Sequence, residues 1–242
     1  MKLARPDLFH PRIVLAGCPQ QVAGDSDDAG LVGALRRRGL HARWMSWDDP
    51  DTGHADLVIV RATRDYLNRL DEFLRWTRSV PNLLNPPGVI AWNVNPRYLH
   101  DLKRANVPIL FRSAWPAGGH EQPAAAGETA LIFFGGVRSH AFTAAAESVV
   151  DPDFELWDLG HAALQASAAH LGIGVGELLY GRVDVTGEPG EARVMRVDLV
   201  SPSLGWTLLD DATRDARQRQ FVLCVESALE RLGLGPLRHR GR

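Results

Sequence analysis

Lysine is almost missing from this chain: of its 27 basic residues only Lys2 and Lys103 are lysine, the other 25 being arginine. Chemistry that needs a compact, flexible ammonium over a phosphate has two places to find one. Cysteine is as scarce. Cys18 and Cys224 stand far apart without CxxC or Cys/His spacing, which excludes a disulfide framework and a structural zinc site and fits a reducing, cytoplasmic setting. No apolar run approaches the ~20 residues of a membrane span, and the first eleven residues carry Pro6 and Asp7 in place of an apolar signal, so no membrane partner and no targeting segment are expected. Charge of one sign is lacking too. A formal charge of −2 gives no field for nucleic acid, and the basic end Arg238–Arg242 reads as a solvated tail.

What is present is a core-forming chain, 45% hydrophobic over 242 residues, enough for one large or two small domains. Apolar runs over 12–17, 40–47 and 55–62 alternate with helical spacing over 29–38, 66–77 and 96–105, and 82–85 and 89–92 read as short extended pieces. This alternation predicts a parallel, right-handed, Rossmann-like α/β domain over residues 1–108. The Pro- and Gly-rich stretch 109–128 reads as a linker. Beyond it, strands over 129–134 and 137–141 around Gly135-Gly136 read as a hairpin. A helix over 156–171, strands over 179–185 and 193–200 and a closing helix over 210–232 complete an α+β domain over 129–242.

In an open parallel sheet, ligands sit beyond the carboxyl ends of the strands. Asp25, Asp27 and Asp28 follow the first strand, Arg61, Thr63 and Asp65 the third, and Asn85 and Asn93 later ones. Asp25, Asp28, Arg61, Asp65, Asn85 and Asn93 are the candidate residues for a small-molecule ligand. The competing role is local: helix capping by the aspartates, loop-fixing hydrogen bonds, and an Arg61–Asp65 pair. His140, beside the hairpin turn, reads as a hydrogen-bonding residue rather than a ligand.

Four passages, in order along the chain, carry a family resemblance: Val60–Tyr66; Leu84-Asn85-Pro86 with Trp92–Leu99; Phe133–Ala141; and Tyr180–Val185 with Met195–Leu204. Together they resemble the glutathione-synthetase-like branch of the ATP-grasp proteins. The resemblance implies an N-terminal pre-ATP-grasp domain followed by an ATP-grasp α+β domain. It also implies ligase chemistry, in which a carboxylate is phosphorylated by Mg-ATP and an amine displaces the phosphate. Two lysines and a glycine-rich lid cover the triphosphate in that family, and acidic or amide residues on the last strand pair hold magnesium.

This chain departs from the pattern at those positions. Asn95-Pro96 stands where the family has Asp-Lys, and only residues 109–132, without a lysine, fill the space of the lid. Asp184 and Asp198 match acidic metal positions, but Arg196 occupies the bridging carboxylate's place. The aspartates are then either a remnant metal site or one ion-paired face, with Arg196 contacting one or both. The reading is a degenerate ATP-grasp protein with its lid deleted, non-catalytic, without a cofactor, binding a small molecule or a partner, the partner being an active ligase or a second copy in a homodimer. The alternative is an ATP-dependent carboxylate–amine ligase with a reduced lid, with Mg-ATP as its cofactor.

Overall fold

The computed structural model describes residues 10–111, 127–143 and 145–235. Residues 112–126, the greater part of the expected linker, lie outside them, as do Lys2 and the basic end 238–242. A four-stranded parallel sheet comes first, from β1 (Arg12–Gly17), β2 (His41–Ser46), β3 (Leu57–Ala62) and β4 (Leu83–Leu84), in the order β2-β1-β3-β4. The two central strands are buried on both faces, as near-continuous runs such as Leu57-Val58-Ile59-Val60 require. Helices α1 (Leu31–Arg37) and α2 (Leu70–Ser79) connect them.

The stretch 89–92 is not extended. It lies in helix α3 (Pro87–Asn93), which is followed by α4 (Tyr98–Arg104). Pro87 takes the first turn, where a missing N–H costs nothing, and the run of Val89 and Ile90 is β-like only in composition.

The second sheet is antiparallel: β5 (Glu128–Phe134), β6 (Val137–Thr143), β7 (Ser148–Val150), β8 (Tyr180–Thr186) and β9 (Arg193–Asp198), ordered β7-β6-β5-β8-β9. Gly135 and Gly136 both have positive φ, 57° and 76°, the backbone that a two-residue primed hairpin turn demands. Helix α5 (Phe154–His170) covers one face, packing Ala163 and Leu164 with Leu131, Phe133, Val183 and Val197. The other face meets the first sheet and helix α6 (Asp211–Arg231). There Ile13, Leu15 and Ile59 share one apolar cluster with Ile132, Phe134, Tyr180, Trp206 and Phe221. Pro108 and Leu110 bond to Val194, so the chain leaving the first sheet lies along β9. No helix among the described residues is long and apolar enough to cross a membrane.

Three polar side chains stitch the sheets together. Asn85 donates from Nδ2 to the carbonyls of Tyr180 and Leu199, at 3.0 and 2.8 Å, and accepts from the Leu179 N–H at 2.7 Å. Asn93 donates to the Val197 carbonyl and accepts from the Leu199 N–H, at 2.9 and 2.7 Å. The Tyr180 hydroxyl lies between the carbonyls of Val60 and Val200, at 2.5 and 2.8 Å. Asn85→Ala leaves three buried backbone groups unpaired, and urea denaturation should show a loss of about 3 kcal/mol. A loss under about 1 kcal/mol means that the amide does not hold the seam.

Candidate functional site

The register of β8 and β9 pairs Arg182 with Asp198 and Asp184 with Arg196, and the two-residue period puts all four on one face. The result is a checkerboard of charge. Arg182 Nε lies 2.7 Å from Asp184 Oδ1, while Arg196 sets Nε at 2.7 Å and Nη2 at 2.6 Å against Oδ2. Asp184 keeps 8% of its side chain accessible, Arg182 10% and Arg196 20%. Burial pushes the Asp184 carboxyl up, but the two guanidiniums outweigh it and hold the group below the usual carboxylate range. Burial likewise works against the Arg196 charge, and Asp184 and Asp198 more than restore it. Asp198 Oδ1 accepts from the N–H groups of Val200 and Ser201, at 3.0 and 3.3 Å, and so fixes the turn after β9.

Magnesium requires carboxylate lone pairs open to a hard cation. Both Asp184 oxygens face cationic donors, and among the described residues no three His, Cys, Asp or Glu side chains gather into a set able to hold a metal ion. The residues present at Asp184 do not fit a magnesium ion.

At the carboxyl edge of the parallel sheet Arg61 pairs with Asp28, not Asp65: Nε lies 2.9 Å from Asp28 Oδ1, with both side chains 2% accessible. Arg61 Nη2 donates to the Pro202 carbonyl at 3.0 Å, and the guanidinium lies 5.1 Å from the Tyr180 ring centre. Asp65 turns the other way, accepting from Trp47 Nε1 at 2.9 Å with Arg69 Nη1 at 3.5 Å from its second oxygen. Asp25 pairs with Arg64 at 2.8 Å and accepts from the Asp28 N–H at 3.2 Å. Of the six candidates only Asp25, Asp28 and Arg61 are linked to one another; the amides of Asn85 and Asn93 are committed to the seam.

Asp27, read as a local cap, instead reaches across to the 203–207 loop. One oxygen accepts from Ser203 Oγ and the N–H groups of Leu204 and Gly205, the other from the Thr207 N–H. His140 meets the same loop, with Nε2 2.6 Å from the Leu204 carbonyl and Nδ1 3.0 Å from Ser139 Oγ. Arg182 was not singled out from the sequence. The signal was its place two residues before Asp184, which puts both on one strand face.

Likeness to known proteins identifies the fold that carries this geometry. Residues 13–85 match the family model of the D-cycloserine synthetase DcsG N-terminal domain. The crystal structure of D-cycloserine synthetase DcsG superposes with a TM-score of 0.74 at 24% identity, covering 91% of this chain and 99% of that one. ATP-grasp ligase PsnB, complexed with a phosphomimetic variant of its minimal precursor, Mg and ADP, gives 0.56 at 14% identity, covering 91% and 99%. The fold is that of the ATP-grasp ligases. In sequence the chain is similar to the cycloserine biosynthesis protein DcsG of Streptomyces lavendulae, 26% identical over 270 residues, covering 77% of this chain and 90% of that protein. That span exceeds the 242 residues of this chain, so DcsG carries residues with no counterpart here.

Two measurements probe the site. Arg196→Glu puts a third carboxylate beside Asp184 and Asp198, so stability in metal-free buffer should fall by about 1–3 kcal/mol and added magnesium should restore part of it. A variant equally stable with and without magnesium would separate this face from any metal site. The second concerns His140, which burial pushes down to about 4. Between the unfolded value near 6.5 and the folded value the unfolded chain binds the proton first, so acidification through that window removes stability, by at most about 1.4 kcal/mol per pH unit. Asp28, pushed up to about 6 by burial, acts with the opposite sign as pH falls below that value. His140→Gln should therefore gain stability relative to the parent as pH drops from 6.5 to 4, read by urea titration at each pH; a constant difference excludes a buried neutral imidazole.

Proposed function

We propose that this chain is a non-catalytic ATP-grasp-fold protein that binds a small molecule or a partner where its ligase relatives work. The single observation that carries this reading is the capture of both Asp184 oxygens by Arg182 and Arg196. A ligase of this class stabilises the charge of phosphoryl transfer with metal ions bridging the phosphates, and a carboxylate neutralised from both sides does not recruit one. Asn95-Pro96 supports the same reading, since proline supplies neither charge nor a donor. The competing reading, an ATP-dependent carboxylate–amine ligase with a reduced lid, draws on the likeness to DcsG. PsnB was solved with a precursor peptide, which makes a peptide segment one class of partner to test for this chain.

Calorimetry with Mg-ATP separates the two readings. The non-catalytic reading expects no binding tighter than about 100 μM, equivalent to about 5.5 kcal/mol. Tighter, magnesium-dependent binding, or release of ADP with an amine and a carboxylate present, overturns it.

A further inference from the structure

The two guanidiniums that neutralise Asp184 have donors to spare. Each guanidinium carries five N–H groups. Arg182 commits only Nε to Asp184, and Arg196 commits Nε and Nη2. Among the described residues neither Nη of Arg182, nor Nη1 of Arg196, has a hydrogen-bond partner, and none of the three is sealed from solvent. The Arg182 guanidinium lies over the Phe142 ring, 5.1 Å from its centre, a cation–π contact that fixes its place. Both guanidiniums end on one carboxylate, so their spare donors flank it on a single sheet face. The surrounding charge is balanced, Arg182 and Arg196 against Asp184 and Asp198, and Tyr98, which accepts from the Val197 N–H at 3.0 Å, closes the β9 side.

We propose that these free N–H groups form an oxyanion site that works without a divalent ion and takes a phosphoryl or carboxylate group of a small ligand. The proposal rests on the reading that Asp184 has been withdrawn from metal binding. A balanced local charge means that the ligand is held by directed, planar donors rather than by net field, the kind of recognition arginine supplies and lysine does not. The chain's near-exclusive use of arginine agrees with this.

The test is calorimetry on the full chain in EDTA, with ATP, inorganic pyrophosphate and succinate as probes. At least one should bind, and which one identifies the ligand group as phosphoryl or carboxylate. Arg182→Gln leaves Arg196 on Asp184 and should weaken binding about tenfold. Asp184→Asn releases donors on both arginines and should tighten it about threefold. Circular dichroism melts establish that both variants are folded. Absence of binding by every probe, with or without magnesium, overturns this site and leaves the non-catalytic reading standing. Binding that appears only with magnesium overturns both, and binding in EDTA unchanged by Arg182→Gln overturns the assignment to these residues.

Discussion

Where the parallel sheet meets the antiparallel one, backbone groups at the ends of β8 and β9 are buried against an apolar cluster, and each must find its partner across the seam. Asn85, Asn93 and the Tyr180 hydroxyl meet that requirement from side chains, reaching carbonyls and N–H groups that no strand is placed to pair. Arg61 and Asp28 meet it with charge, in a pair so enclosed that losing either partner would strand the other at a cost of about 3–5 kcal/mol. The two sheets are therefore held in one relation by groups with almost no tolerance for displacement. The β8–β9 face inherits its position from that constraint.

On that face the same arithmetic of buried charge takes another form. A carboxylate as enclosed as Asp184 needs compensation, and magnesium or a guanidinium can each provide it. Here arginine does so twice, from its own strand and from the neighbouring one. The face therefore presents to a ligand the edges of two planar donors beside a neutralised carboxylate. The likeness to DcsG and PsnB lies in the fold that carries the face. The chemistry proposed for the face comes from its own residues.

Much of the fold was legible because the chain punctuates itself. The span 12–17 matches the bounds of β1, and β5, β6, β8 and β9 with α5 and α6 lie within a few residues of the spans that the apolar runs and the Gly135-Gly136 turn predict. Helix α3 was not legible, because two β-branched residues in a four-residue window outvote a proline start when only composition is weighed. The three-residue β7 is too short to leave a period. In the candidate site, the contact of Arg196 with Asp184 followed from strand alternation and charge. Local sequence could not say that Arg61 chooses Asp28 over the nearer Asp65, since that choice depends on the 200–206 loop closing over Arg61 from a distant part of the chain. For the same reason Asp27 looked like a cap and is a cross-chain tie.

The central claim, that guanidiniums stand where a metal would stand at Asp184, meets its most direct test in a manganese titration of the unmodified protein followed by electron paramagnetic resonance. The free-ion spectrum should keep its full intensity as manganese rises to about 1 mM over the protein, because no carboxylate pair on β8 and β9 is open to it. Loss of that signal at lower concentration, abolished by Asp184→Asn, would show the ion displacing the arginines and would contradict the account.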